Sequence, residues 1–555
     1  ARVLPSFFSL VDVRAILVAT TASSALLFCF SEFLLYQRIP RGVLVVDTVL
    51  LVAGICIFRV GLRKLAEYRR NARQPAEARD AAQIPVAIIG AGEAGAGLIR
   101  ELRAKPGLRL RPIICFDDNE SKWGQHIHGV PITGPAERLR ELPWREKIRK
   151  VIIAMPAASP KRVGELARMA GEFGMPSETI PSLDQLVAGR LKISQLRPVQ
   201  IEDLLRRETV ALDSAGIREA VIDKVVMVTG AGGSIGSELC RQLLAHLPRQ
   251  LLLVDRSEVQ LFQIEQELLG AGGGSVVTAV VADVCDGLRM QELLLRHRPS
   301  LIFHAAAHKH VPMMESQAGE AIRNNSIGTA RFAQQAAQAG VERFVLISTD
   351  KAINPTSVMG ASKRLAEIYL QALQVANGTG CRFSAVRFGN VLGSSGSVVP
   401  IFHKQIAAGG PVLVTHPEIT RYFMTISEAV GLVLQSAILS EGGEIFVLEM
   451  GQPIKIVDLA RQMIELSGYR PGEDIAIEFS GLRPGEKLFE EVSHHQEQLA
   501  PTVHPKIRRF ITDARPLSEV EEFLEKISGQ LNNGNGAQLK ETLVGLIPEY
   551  RPHVG

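Results

Sequence analysis

Apolar residues are distributed along this chain in two different ways, one dense and near the start, the other broken into short runs. From Ala15 to Phe30 apolar and small residues run without interruption, and with Phe33 to Tyr36 the stretch reaches the roughly 20 residues that a helix needs to cross a bilayer. Val43 to Phe58 repeats the pattern with Asp47 as its one charge, and only Arg38-Ile39-Pro40-Arg41-Gly42 separates the two. A transmembrane helical hairpin over residues 1–62 is expected, with buried core helices as the alternative because each uncharged stretch is slightly short. Arg59, Arg63, Lys64, Arg69, Arg70 and Arg73 follow directly, so the positive-inside rule puts the rest of the chain on the cytoplasmic side of the membrane. The first residue is Ala1 and no cleavable signal pattern precedes the first run, which suggests a longer membrane region upstream. Residues 63–83, polar and rich in Ala and Arg with Pro75, read as a linker.

Beyond the linker, apolar residues come in fours and fives, each run ending at a glycine turn or an acid and followed by a helical stretch. Val86-Ala87-Ile88-Ile89 leads into Gly90-Ala91-Gly92-Glu93-Ala94-Gly95, and Ile113 to Phe116 ends in Asp117-Asp118, where a ribose-binding carboxylate would lie. Val151 to Ala154 is a later parallel strand. A small Rossmann-like domain is expected over residues 84–200, its glycine loop either binding a nucleotide or only making a close strand–helix turn.

Residues 201–555 repeat the scheme with a fuller set of signals. Lys224 to Val228 runs into Thr229-Gly230-Ala231-Gly232-Gly233-Ser234-Ile235-Gly236 and a helix to His246. Gly230, Gly233 and Gly236 leave room for a pyrophosphate, and the helix start, with Ser234 and Ile235, offers it backbone N–H groups. Leu251 to Val254 ends in Asp255, whose carboxylate suits both adenosine ribose hydroxyls and so favours NAD over NADP; Arg256 beside it tempers that preference. Val280 to Val284 brings Asp283 and Val284 toward an adenine, and Leu301 to Ala307 brings Ala305 and Ala306 beside the cofactor. The fold class is α/β: two Rossmann-like, doubly wound parallel-sheet domains preceded by the helical hairpin.

Composition narrows the partners. A net charge of +4 on 555 residues, with two Trp and six Tyr, is not the basic, aromatic-studded surface of a nucleic-acid binder. The six cysteines form no C-x-x-C pair and read as small core or membrane residues. His304, His308 and His310 surround Lys309 with no thiolate or carboxylate to complete a ligand set, so no metal is expected.

The strand Phe344 to Ser348 delivers Thr349-Asp350-Lys351 at its C-terminal end, where ligands of open α/β sheets bind. Farther on, Met359-Gly360-Ala361-Ser362-Lys363 places residues 359 and 363 on one helix face. Here the sequence resembles the extended short-chain dehydrogenases/reductases, in which a Tyr-x-x-x-Lys pair serves the nicotinamide; Lys363 is present, and Met359, which transfers no proton, stands in place of the tyrosine. Thr349-Asp350-Lys351 matches the run of those relatives that dehydrate UDP-N-acetylglucosamine, as do Arg387 to Val391, Thr420 to Thr425 and Gly481 to Lys487. The resemblance, to the membrane-bound UDP-N-acetylglucosamine 4,6-dehydratases of capsule, O-antigen and protein-glycosylation pathways, covers both soluble domains and is most specific over 224–490.

What the resemblance implies is a tightly bound NAD that takes and returns a hydride, with Lys351 as the C5 base and Asp350 as the acid toward O6. Thr349 would orient the 4-hydroxyl, whose proton would pass to Asp350 or water. Lys351 would need to be neutral, its proton affinity lowered by the nicotinamide and Lys363. Lys309, Asn390, Arg421, Arg483 and Glu486 are the expected substrate contacts, with Arg421 and Arg483 on the UDP diphosphate. A homo-oligomer joined through helices of the catalytic domain is expected on the same ground. The alternatives are a C4-epimerase or reductase on this scaffold, which would normally keep the tyrosine, and a non-catalytic, membrane-tethered NAD-binding scaffold.

Overall fold

The computed structural model describes residues 83–180, 211–378, 380–491, 498–531 and 535–552, together with the pair 197–198 and isolated positions between 18 and 61. The helical hairpin expected over 1–62 and the linker lie outside the described residues apart from those positions, and among the described residues no helix is long and apolar enough to cross a membrane.

The first domain is a five-stranded sheet. In chain order it contains β1 (Ile84–Ile89), α1 (Glu93–Ala104), β2 (Leu110–Phe116), β3 (Lys150–Ile153), α2 (Pro160–Gly171), β4 (Ser177–Thr179) and β5 (Arg197–Pro198). The strands lie in the order β2-β1-β3-β4-β5, parallel except for the last pair. Val86 to Ile89 and Val151 to Ile153 are fully enclosed, because helices cover both faces of a parallel sheet and its strands are apolar throughout.

The second domain carries a nine-stranded sheet. Its elements are β6 (Val225–Thr229), α3 (Ser234–Ala245), β7 (Gln250–Asp255), α4 (Glu258–Leu268), β8 (Val277–Val281), α5 (Gly287–His297), β9 (Leu301–His304), α6 (Thr329–Gln338), β10 (Arg343–Ile347), α7 (Val358–Asn377), β11 (Arg382–Arg387), α8 (Ile426–Leu439), β12 (Ile445–Leu448), β13 (Gln498–Pro501), β14 (Ile507–Ile511), α9 (Leu517–Gln530) and α10 (Gly536–Leu546). Spatially the strands run β8-β7-β6-β9-β10-β11-β12-β14-β13; the first seven are parallel and the last two antiparallel. The winding reverses between β6 and β9, and the crevice above that point is where such sheets bind ligands.

Two expected strands are shorter than the apolar runs suggest. β8 ends at Val281, so Asp283 and Val284 sit in the following turn, with Asp283 Oδ1 accepting from Cys285 N at 2.8 Å. β9 ends at His304, leaving Ala305 to Ala307 as irregular chain beside the glycine turn.

α7 starts on a side-chain cap, Ser357 Oγ accepting from Gly360 N at 3.1 Å. It is buried continuously from Val358 to Leu373, because α9 and α10 close over it: Val520, Ile527, Leu539, Leu543 and Leu546 join its residues in one core.

Candidate functional site

A cavity of about 670 Å³ runs from the glycine turn after β6 to the loop after β10. Gly230 has φ +67°, and a Cβ there would stand 2.7 Å from Ala306 N; a Cβ on Gly236 would stand 2.0 Å from Gly230 O. Only glycine lets α3 start this close under the turn. Asp255, at the end of β7, ties the turn down by accepting from Gly232 N at 2.9 Å, while its other oxygen accepts from Ser257 N at 2.8 Å. Gly230, Gly233, Ser234, Ile235, Gly236 and Ala305 face the cavity, an arrangement shaped for a pyrophosphate on a helix N-terminus. Arg256 is exposed beyond Asp255, Asp283 and Val284 follow β8, and Ala306 backs the turn.

The three histidines part company. His304 is buried, with ring nitrogens 2.7 Å from Thr229 Oγ1 and 3.0 Å from Thr329 Oγ1, and burial pushes its pKa down to about 3, so it packs as a neutral ring. His308 and His310 line the cavity with Lys309, whose ammonium burial pushes below its ordinary value.

The other half of the cavity is built on Thr349, Asp350 and Lys351. Thr349 Oγ1 donates to Asp350 Oδ1 at 2.8 Å; Lys351 Nζ lies 3.0 Å from that oxygen and 3.2 Å from Asn390 Oδ1. A residue that the motifs do not announce completes the group: Glu490 Oε1 lies 3.1 Å from Lys351 Nζ, its side chain 2% exposed. Burial pushes the Asp350 carboxyl up, and Glu490 adds to the rise against the opposing pull of Lys351. For Lys351 burial pulls downward, but Asp350 and Glu490 outweigh it and hold the ammonium above its ordinary value. The protein's own carboxylates thus act opposite to the lowering expected of the nicotinamide. Lys363 is engaged elsewhere, its Nζ donating to Ile347 O at 2.7 Å, and carboxylates are the nearest charges to Lys351.

Arg421 also departs from expectation. It is 5% exposed, and its guanidinium donates to Lys487 O at 2.8 Å and Thr420 O at 2.7 Å and pairs with Glu486 at 3.2 Å and Glu490 at 3.5 Å. Its donors are thus committed to holding the 486–490 segment rather than free for a diphosphate. Glu486, expected on the substrate, is spent on Arg421 and on Arg483 N at 3.3 Å. Arg483 is exposed at the cavity wall, with its guanidinium available to an anion.

Met359 and Lys363 face the cavity from one side of α7, as their spacing predicts. Burial pushes Lys363 down to about 8, with Glu367 resisting. Behind it lies a buried pair: Arg387 Nε and Nη2 donate to Glu367 at 2.8 and 2.7 Å, and Ser348 Oγ donates to the same carboxylate at 2.6 Å.

In the first domain the glycines have a steric reason of their own. A Cβ on Gly90 would meet Ala154 O at 2.7 Å, and one on Gly95 would meet Gly90 O at 1.9 Å. Asp117 accepts from Ala91 N at 2.6 Å and from Asn119 N at 2.9 Å, while Asp118 pairs with Arg162 at 2.9 Å. Asp117 thus ties down this turn in the same way that Asp255 ties down the turn after β6, and Asp118 is held by Arg162.

Comparison with known proteins agrees with this architecture. A family model described as polysaccharide biosynthesis protein matches residues 226–512, and one described as CoA-binding domain matches residues 9–171. The capsular polysaccharide biosynthesis protein CapD of Staphylococcus aureus is 46% identical over 442 residues, 79% of this chain and 74% of that protein. The probable polysaccharide biosynthesis protein EpsC of Bacillus subtilis is 43% identical over 78% of this chain and 74% of its own length. A UDP-N-acetylglucosamine 4,6-dehydratase (inverting) of Campylobacter jejuni is 32% identical over 45% of this chain and 76% of that protein. By both the family match and the extent of these likenesses, the chain belongs to the polysaccharide biosynthesis protein family.

Proposed function

We propose that this chain is an NAD-dependent 4,6-dehydratase of UDP-N-acetylglucosamine, yielding a UDP-4-keto-6-deoxy-N-acetylhexosamine for glycan synthesis. The observation that carries the reading is the 3.0 Å contact between buried Asp350 and Lys351 on the wall of a cavity that Met359 also lines. A proton moved across that contact leaves a neutral amine and a carboxylic acid, the base and the acid that dehydration needs. The upward-shifted Asp350 makes its acid form accessible in the site.

When bound, the dinucleotide supplies hydride-transfer chemistry; Gly230, Gly233, Ser234, Ile235, Gly236, Asp255 and Lys363 would hold it. Thr349 orients the 4-hydroxyl, whose proton passes to water as the hydride leaves C4. Once C4 is a ketone the C5 proton is acidic, and Lys351 takes it; Asp350 gives its proton to O6 as water leaves. Lys351 returns its proton to C5 as the hydride comes back to C6, which leaves no net redox change. The Campylobacter relative named as such a dehydratase supports the substrate class.

A C4-epimerase needs an acid–base group where Met359 stands and has no use for a C5 base. A proton NMR time course with UDP-N-acetylglucosamine and no added reductant separates the two: dehydration gives a C6 methyl doublet, and UDP-N-acetylgalactosamine alone would refute it.

Attachment to the bacterial inner membrane, with both domains on the cytoplasmic side, is part of the proposal and rests on the apolar runs Ala15 to Phe30 and Val43 to Phe58. Alkaline carbonate extraction of cells expressing the chain should leave it in the membrane pellet; release into the supernatant would contradict attachment.

A further inference from the structure

The segment from Gly485 to Glu491 lies over the catalytic loop and is fastened to it residue by residue. Thr356 Oγ1 donates to Gly485 O at 3.1 Å, Lys487 Nζ to Ile353 O at 2.8 Å, and Asn354 Nδ2 to Glu491 Oε2 at 3.0 Å. Glu490 is the member of this strap that reaches inward. One of its oxygens meets Lys351 at 3.1 Å and Arg421 at 3.5 Å; the other is buried and accepts no hydrogen bond among the described residues. Lys351 is therefore gripped from two directions, by its neighbour Asp350 and by a carboxylate from a segment far along the chain. Arg421 and Asn390 complete its surroundings.

We propose that Glu490 is a positioning residue for Lys351, holding the ammonium in place so that the strap determines when this lysine can act as a base on a ligand in the cavity. The proposal deepens the dehydratase reading and rests on it for the base role of Lys351, although the grip itself does not depend on the substrate. Glu490 favours the charged lysine, and the proton transfer to Asp350 works against that grip. The carboxylate of Glu490 is itself held below its ordinary value: burial opposes this, but Lys351 and Arg421 prevail, so it stays charged and keeps its hold.

The sign follows from Coulomb's law. Removing one of two adjacent negative charges lowers the proton affinity of Lys351, typically by about one pH unit or more for a partner this close. In Glu490→Gln the acidic limb of kcat/KM, where Lys351 must lose its proton, moves to lower pH. Glu490→Asp keeps the charge but withdraws it by one methylene, and moves the limb less.

The test reads Lys351 directly. Full-length protein is labelled with acetic anhydride at a series of pH values, and the extent of Lys351 acetylation is followed by peptide mass spectrometry beside the pH profile of dehydration. The expected result is a labelling midpoint that falls by about one unit in Glu490→Gln and by less in Glu490→Asp. Labelling curves that coincide with wild type in both variants would overturn the proposal, since a carboxylate that merely braces Arg421 would change stability or KM and leave this midpoint in place. Should the Gln variant not fold, the Asp variant alone decides, a shifted midpoint supporting the grip and an unmoved one overturning it. A shifted midpoint in a protein that makes no dehydrated product from UDP-N-acetylglucosamine would uphold the role of Glu490 and sink the dehydratase reading instead.

Discussion

In the proposed reaction Lys351 is the residue on which the chemistry turns, and its environment rather than its identity would make it competent. An isolated buried lysine would shed its proton; this one keeps it because Asp350 and Glu490 stand at 3.0 and 3.1 Å. Replacing it by methionine removes the proposed base, while Glu490 keeps Arg421 as a partner at 3.5 Å. The expected outcome for Lys351→Met is a fall in dehydration of ~10²–10⁴-fold, the usual worth of a positioned acid–base group, with the circular dichroism spectrum retained; activity within a few-fold of wild type would exclude the role. The sequence makes Thr349, Asp350, Lys351, Met359 and Lys363 legible because they follow one strand and occupy one helix face. Glu490 carries no comparable signal, since its partner is distant in the chain and the segment between them is fixed only by the fold. Arg421 lines the cavity as expected, but its partners were not legible: a guanidinium fork suits a phosphate and a carboxylate equally well, and the sequence does not show that Glu486 and Glu490 stand beside it.

Among the elements, the strand–turn–helix units were readable from glycine and acid spacing, and the structure moves their ends by a few residues. The pair behind the site was not: Glu367 on α7 and Arg387 at the end of β11 meet with no exposure of either side chain. Removing one partner of such a pair strands the other charge. Arg387→Leu is expected to cost ~3–5 kcal/mol near neutral pH, read as a lower denaturation midpoint in urea. The pH dependence distinguishes this from a simple loss of packing. Burial alone would raise the Glu367 carboxyl, but Arg387 and its other partners hold it below its ordinary 4.5. In wild type, then, the stabilisation is present above that value and is lost as the pH falls through the lower folded-state one. In the variant burial dominates and raises the carboxyl, so the deficit should shrink as the pH falls toward 4.5; a deficit constant from pH 7 to 4.5 would show that only packing was lost.

On the scale of the molecule, the seven parallel strands follow from the βα repeats, but what closes the domain does not. The antiparallel pair β13–β14 and the helices α9 and α10 lack motifs, and they are what buries α7 on its outer side. Arg364 Nε reaches from α7 to Glu549 at 3.0 Å, and Arg551 N donates to Pro355 O at 2.9 Å, so the C-terminal segment also braces the loop that carries Lys351. Val520, Ile527, Leu539, Leu543 and Leu546 each contribute ~1.5–3 kcal/mol of burial, together comparable to the whole stability of a domain, ~5–15 kcal/mol. A chain ending at Pro516 is therefore expected to be insoluble or to unfold well below the temperature of the intact protein in a thermal melt. A soluble truncation with an unchanged Tm would show that α7 does not depend on these helices.

The central claim is that hydride leaves C4 and returns to C6 within one turnover, with Lys351 and Asp350 handling the protons between. UDP-N-acetylglucosamine deuterated at C4, incubated with the protein without added reductant and followed by proton NMR and mass spectrometry, reports on this directly. The account predicts a 6-deoxy product whose C6 methyl carries the deuterium. A methyl group without deuterium, or a hexosamine that keeps its 6-hydroxyl and changes only at C4, would contradict it.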